Sequence, residues 1–217
     1  LTKYMLDKDY KIIGQKPYSL ESLGRFGHDH DHFAQPDFEM VKKQIKEKQG
    51  CKLKGTFFVD AVPGNFIISP KAFAPTLEKL RKEGLNDIAN AEHAINDLYF
   101  GEYISKYKLY RFGYTSFNLM HSLKGKKKLN EKMTKIYQYY LKIVPTKFHY
   151  YSGLSDDSYQ YTANSFSENT FERFPMIFFR YDLSPITVEY KLTKKSSLTF
   201  MINIFAILGG VFTIAGI

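Results

Sequence analysis

The chain has 217 residues, a formal net charge of +9, one cysteine, and 19 Phe and 17 Tyr against no Trp. A single cysteine excludes an internal disulfide framework and a cysteine-based zinc site within these residues. The Lys and Arg residues are spread along the chain rather than massed in one patch, which argues against nucleic acid as a partner; the one tight run, Lys124-Gly-Lys-Lys-Lys128, reads as a solvated loop.

Taken in chain order, the first fifty residues are polar and irregular and are expected at the edge of a sheet. Asp37 can cap a helix with Phe38, Val41 and Ile45 on one face, ending at Gly50. Cys51 to Val59 alternates, with Cys51, Leu53, Phe57 and Val59 on one face, and reads as a strand. Val62-Pro63-Gly64-Asn65 has the chemistry of a type II turn, so Phe66 to Ser69 is expected to return as the second strand of a hairpin. Thr76 to Glu83 and Asp87 to Leu98 are helix candidates, the second on the spacing of Ile88, Ala91, Ile95 and Leu98. Ile136 to Tyr151 reads as a long strand interrupted at Pro145. Gly153 to Asp157 is turn-like, and a strand begins at Tyr159 to Thr162. Ile177 to Leu183 alternates until Ser184-Pro185 breaks the run, and Ile186 to Leu192 resumes it. The fold class expected is all-β: a sandwich with a few short peripheral helices, followed by a C-terminal transmembrane helix.

Leu198 to Ile217 contains no charged side chain. Twenty residues of helix reach roughly 30 Å, the thickness of a bilayer's hydrocarbon core. Gly209, Gly210 and Gly216 are costly in a soluble helix but suit a membrane helix, where small residues let a neighbour pack closely. The domain organisation expected is therefore residues 1–195 as one β-domain and 198–217 as the membrane span. Leu1 is not an initiator methionine and no basic-then-apolar leader follows it, so the chain reads as part of a longer protein that continues on both sides.

Motifs of catalysis are absent: the sequence holds no Gly-x-Ser-x-Gly elbow, no His-Glu-x-x-His, no P-loop and no dinucleotide fingerprint. One cluster stands out, His28-Asp29-His30-Asp31-His32. On an extended chain its three imidazoles share one face. Three readings stay open: a solvated loop, a pH sensor that charges near pH 6.5, and a transition-metal site that would make the chain a membrane-anchored metal-dependent hydrolase. The spacing departs from the His-x-His-x-Asp-His pattern of metallo-hydrolases. No metal, cofactor or catalytic residue is assigned.

Several segments together carry a resemblance. Tyr139-Tyr-Leu-Lys-Ile-Val-Pro-Thr146 resembles the Phe-x-Lys-Val-Val-Pro-Thr stretch of the ERV/ERGIC family, membrane proteins of vesicles moving between the endoplasmic reticulum and the Golgi. Gly50-Cys51 with Gly55, Val62-Pro-Gly-Asn-Phe66, His93-Ala-Ile95 with Leu98-Tyr-Phe-Gly101, Gln160-Tyr-Thr162, Phe178-Phe-Arg-Tyr-Asp-Leu-Ser-Pro185 with Val188, and Gly209 to Gly216 resemble further family landmarks, in the family's order. Lys3 to Asp9 is loosely similar to a segment just inside the family's luminal domain. The chain departs from the family in three places: the Asn-Pro-Leu motif expected after the Phe-Gly landmark is absent, Pro175-Met176 stands for Pro-Gly, and one branch's extra cysteine cluster is missing.

The resemblance implies a luminal β-sandwich between two membrane helices. It implies a hetero-oligomer with a related subunit, vesicle coats engaged through cytosolic tails, and luminal cargo carried between endoplasmic reticulum and Golgi. It implies no enzymatic activity. A subunit that only scaffolds a membrane complex is the alternative. Lys191, Lys194 and Lys195 just before the apolar run favour a cytosolic domain by the positive-inside rule, but long domains translocate largely regardless of charge. In an oxidising lumen an odd thiol is a liability, so Cys51 is expected either to pair with a cysteine upstream of Leu1 or to be buried on the face of Leu53 and Phe57.

Overall fold

The computed structural model describes residues 2–6, 8–17, 38–70, 74–84, 91–129, 135–169, 174–194 and 196–216. The elements in order are β1 (Thr2–Leu6), β2 (Ile12–Pro17), α1 (Phe38–Lys46), β3 (Gly50–Lys54), β4 (Gly64–Ile68), α2 (Ala74–Lys82), β5 (His93–Ile95), α3 (Lys106–Tyr110) and α4 (Tyr114–Met120). They continue with β6 (Lys126–Lys128), β7 (Lys135–His149), β8 (Ser155–Asn169), β9 (Met176–Leu183), β10 (Val188–Lys191) and α5 (Ser197–Ala215). The architecture is mostly strands in sheets, with a few short helices and one apolar C-terminal helix. Strands β2-β1-β3 form one sheet and β5-β6 a two-stranded ladder. Strands β10-β7-β9-β4, with β8 also paired to β7, form the largest sheet.

The chain divides into two compact units. The first holds residues 1–95, 125–141 and 163–182. Its centre is a run of rings. In the antiparallel β4/β9 register Phe66 lies opposite Phe179, and their rings stack at 4.4 Å and 7°. Phe179 also stacks on Tyr139 of β7 at 4.9 Å, Phe57 meets the edge of Phe66 at 5.3 Å, and His93 meets the edge of Tyr139 at 5.6 Å. Directly opposed aromatic pairs contribute beyond the area they bury. Two positions along the same ladder, Gly64 faces Tyr181, and a Cβ at Gly64 would sit 2.5 Å from the Tyr181 hydroxyl oxygen. The conformation of Gly64 is not left-handed, so the glycine serves close approach and not the type II turn expected from Pro63-Gly64.

The second unit holds residues 96–124, 142–162 and 183–217. Ile104, Leu109, Met120 and Phe148 form its buried centre, with Phe112, Phe117, Tyr150 and Tyr190 packed around them. Strand β10 runs parallel to β7 with Tyr190 opposite Phe148, and these rings stack at 5.2 Å. Helices α3 and α4 occupy the stretch where the family's Asn-Pro-Leu motif is missing.

Several expectations change. The hairpin of residues 51–69 does not form: β3 pairs along its whole length with β1 and β4 along its whole length with β9, each a strand distant in the sequence. Residues 91–98 are not helical; His93–Ile95 pairs with Lys126–Lys128, so the helical spacing yields to strand pairing and the lysine run is a strand, not a loop. Pro145 does not interrupt β7. Buried side chains fall on Tyr137, Tyr139, Leu141 and Ile143, then on Thr146 and Phe148, so the proline shifts the phase of the strand by one residue, as a bulge does.

Gly64→Ala is expected to lose about 1–3 kcal/mol of stability by overpacking against Tyr181. Phe179→Ala, which empties the middle of the ring column, is expected to lose about 3–5 kcal/mol. Equilibrium denaturation of the two variants checks both, and Gly64→Ala unchanged from wild type would remove the close-approach account.

Candidate functional site

The landmarks that carried the resemblance converge on structural contacts. Tyr161 is buried and its hydroxyl donates to the Leu98 carbonyl at 2.8 Å and accepts from the Leu123 amide at 3.0 Å. Ser122 Oγ donates to the Tyr161 carbonyl, and Phe100 meets the Tyr161 ring edge-on at 5.3 Å. Burial pushes the Tyr161 phenol up to about 12, so it stays protonated and able to donate. Gly101, at φ 73°, bridges to Ser158, and a Cβ there would lie 2.7 Å from the Tyr159 ring. These residues tie the segment after β5 to β8; none of them is positioned for chemistry.

Two of the single histidines are built into polar centres. In the first unit His93 Nδ1 lies 2.6 Å from the Ala91 carbonyl and Nε2 lies 2.6 Å from the Tyr139 hydroxyl. A carbonyl only accepts, so Nδ1 carries the proton and Nε2 accepts from Tyr139. Burial lowers the His93 pKa, the Ala91 hydrogen bond works against that, and nearby Lys128 lowers it further. Burial, with Tyr137 beside it, pushes Tyr139 up to about 12. The pair is therefore a neutral imidazole accepting from a neutral phenol, a core staple between β5 and β7. In the second unit His121 Nδ1 lies 2.7 Å from Asp97 Oδ1, and Lys124 Nζ is 3.3 Å from the other carboxylate oxygen. The His121 side chain is 2 % exposed and stacks on Phe117 at 4.5 Å, with Tyr99 and Tyr103 at 5.7 and 5.8 Å. Its ring neighbours are aromatic, so the carboxylate orients a buried imidazole that closes the end of α4. Sequence reasoning missed this pair: the two residues are 24 apart, with no periodicity linking them.

The residues singled out from the sequence are not brought together. His28, His30 and His32 lie outside the described residues. Cys51 sits on β3, which is exposed at every position, so the expected burial beside Leu53 and Phe57 does not hold; the thiol is free and open to solvent. It faces Met5 across the ladder. Among the described residues no group of three His, Cys, Asp or Glu is placed to hold a metal ion.

Helix α5 is 19 residues long and exposed along its length, with Ser196 capping its first turn. It is long and apolar enough to cross a membrane. Nothing lies within 4 Å of a Cβ built on Gly209 or Gly210. Gly209 and Gly216 are seven residues apart and so lie on one face, with Thr213 between them donating to the Gly209 carbonyl at 2.8 Å.

Residues 22–217 match the profile of a family described as endoplasmic reticulum vesicle transporter. The chain is 35 % identical over 181 residues to endoplasmic reticulum-Golgi intermediate compartment protein 1 of Xenopus laevis, covering 82 % of this chain and 57 % of that protein. It is 31 % identical over 182 residues to protein disulfide-isomerase 5-4 of Arabidopsis thaliana, covering 81 % of this chain and 36 % of that one. It is 27 % identical over 179 residues to endoplasmic reticulum-Golgi intermediate compartment protein 2 of Homo sapiens, covering 76 % and 43 %. The crystal structure of Erv41p superposes with a TM-score of 0.44 at 21 % identity, covering 65 % of this chain and 54 % of that one. The chain thus spans little more than half the length of the intermediate-compartment protein 1 it matches.

The lowered His93 pKa has a sign. The unfolded histidine takes up its proton near the ordinary value of 6.5, while the folded one resists it. Its contribution is full above pH 6.5, falls as the pH drops below that value, and levels off beneath the folded-state pKa. Denaturation across a pH series is expected to show this loss in wild type and a flatter profile in His93→Gln. Parallel profiles would show that His93 is not held neutral.

Proposed function

The chain belongs to the endoplasmic reticulum vesicle transporter family, and from that membership we propose that it is a membrane-anchored subunit of a cargo receptor cycling between the endoplasmic reticulum and the Golgi. Its intermediate-compartment relatives imply a place in the membranes of the endoplasmic reticulum, the intermediate compartment and the Golgi. In this reading residues 1–195 form a β-sandwich domain in the lumen and α5 spans the bilayer. The observation that carries it is the pairing of a family match reaching residue 217 with an apolar helix whose side chains are exposed. Exposing that much apolar surface to water is unfavourable, and a lipid environment removes the cost.

The domain acts by binding, in this reading, and not by catalysis. Dithiol exchange needs two thiols, and these residues supply only Cys51. The buried histidines are spent on structure. Partners are a related family subunit, luminal protein cargo, and a vesicle coat reached through tails beyond these residues. Cys51 is exposed and available to a cysteine outside the 217 residues. The stripe of Gly209, Thr213 and Gly216, with Gly210 beside it, is the part of α5 that lets a second helix approach closely.

Protease added to sealed microsomes carrying the full-length protein is expected to spare residues 1–195 until detergent is added; digestion without detergent would overturn the luminal placement. Crosslinking in the same vesicles is expected to capture soluble luminal proteins, and capture of membrane proteins alone would mean a scaffold instead of a receptor.

The double variant Gly209→Leu, Gly210→Leu is expected to weaken co-purification with the related subunit several-fold, since each added side chain separates the backbones. Undiminished co-purification would take this face out of the subunit contact.

A further inference from the structure

We propose that the turn between β7 and β8 is a second membrane contact, seated in the phosphate-bearing headgroup layer of the bilayer that α5 crosses. The inference rests on α5 being a membrane span and concerns what the folded domain itself presents to that membrane.

Parallel pairing sets the geometry. Because β10 runs parallel to β7, the C-terminal ends of both strands lie at one end of the second unit. From β10 the chain passes directly to α5; from β7 it enters the turn of residues 150–154. The turn is closed by the Tyr150 amide donating to the Leu154 carbonyl at 2.9 Å and the Gly153 amide donating to Tyr150 at 3.1 Å. It is also fixed to the linker that leads to the helix. The Leu192 amide donates to the His149 carbonyl at 3.0 Å, the Tyr151 hydroxyl donates to the Thr193 carbonyl at 3.2 Å, and the Lys194 ammonium lies 5.5 Å from the centre of the Tyr151 ring.

Lengths then decide where the turn sits. A 19-residue helix rises about 28 Å, so α5 fills the hydrocarbon core and Ser197 lies at its boundary. The headgroup layer adds roughly 5–8 Å on each side. Thr193 is four residues before Ser197, and four extended residues reach at most about 14 Å. The carbonyl that holds Tyr151 is therefore within or just above the headgroups.

The side chains fit that layer. Tyr151 is 53 % exposed and Leu154 is 70 % exposed, an aromatic and an apolar residue at the tip of a turn that is held to the linker before α5. Tyrosine is enriched at membrane interfaces, where its ring is sheltered and its hydroxyl stays wet. Lys194 is exposed and Lys191 is 63 % exposed while pairing with Glu189 at 3.2 Å, so both ammonium groups stand at this end. A Lys stem lies along apolar surface and its head meets phosphate. Asp156, beyond the turn, is engaged by Lys108 at 3.0 Å and by the Tyr150 hydroxyl at 2.8 Å.

The test uses the full-length protein with Cys51→Ser and every cysteine outside these 217 residues likewise changed to serine, reconstituted in nanodiscs of equal parts phosphatidylcholine and phosphatidylserine. A polarity-sensitive fluorophore is placed through Leu154→Cys, Ile186→Cys or Phe205→Cys, and lipids carrying a spin label near the headgroup act as quencher. Phe205 on α5 reports the membrane span. Ile186 is 69 % exposed but precedes β10, at its other end. Quenching at 154 is expected to be at least about threefold that at 186, as befits an interfacial residue. Adding Tyr151→Ser and Lys194→Gln is expected to bring 154 down to the level of 186. Equal quenching at 154 and 186, with 205 in contact with lipid, overturns the proposal alone. An aqueous 205 overturns the membrane span, and the proposal with it.

Discussion

The first unit depends on one column of rings. Phe57, Phe66, Phe179, Tyr139 and His93 follow one another from the loop before β4 across β4, β9 and β7 to β5. Rings stacked at 4.4 and 4.9 Å leave no slack in register: a shift of one residue in β9 would turn Phe179 to the opposite face and strand its neighbours. The glycine opposite Tyr181 and the imidazole beneath Tyr139 follow from this constraint. Where a ring fills the space above a strand, the partner strand supplies a residue without a side chain; where the column ends in a phenol, its hydroxyl needs a buried acceptor, and the neutral imidazole provides one.

The strands were the legible part of the molecule, because alternation is a local property. Residues 136–149, 159–162, 177–183 and 188–191 are strands as their patterns suggested, and the apolar helix at the end was plain from composition. Pairing was not legible. Residues 51–54 and 64–68 look like a hairpin because a turn motif lies between them, yet each is claimed by a strand far away in the chain. Likewise Ile88, Ala91, Ile95 and Leu98 have helical spacing, but His93 is held by Tyr139, forty-six residues on. A window of a dozen residues contains no trace of that contact. Pro145 shows the reverse case: its chemistry suggests an interruption, but the strand runs through it with a change of phase.

The family landmarks turn out to be places where backbone and ring come too close for an alternative residue. Gly64 under Tyr181 and Gly101 under Tyr159 are the clearest, and Tyr161 hydrogen-bonds both sides of the segment it pins. Their spacing identifies a fold and reports on how its loops are fastened.

The parallel pairing of β10 with β7 has a mechanical meaning. Residues Val188 to Lys191 lie beside Thr146 to His149, and the helix hangs from the Lys191 end. If α5 anchors the chain in a bilayer as proposed, a force drawn through it along β10 acts along the strand and so across its hydrogen bonds. Those bonds share the load in shear and must give way together, whereas a hairpin pulled at its open end peels one bond at a time. A domain tethered in that way would hang from the kind of joint that holds best in the direction it is pulled.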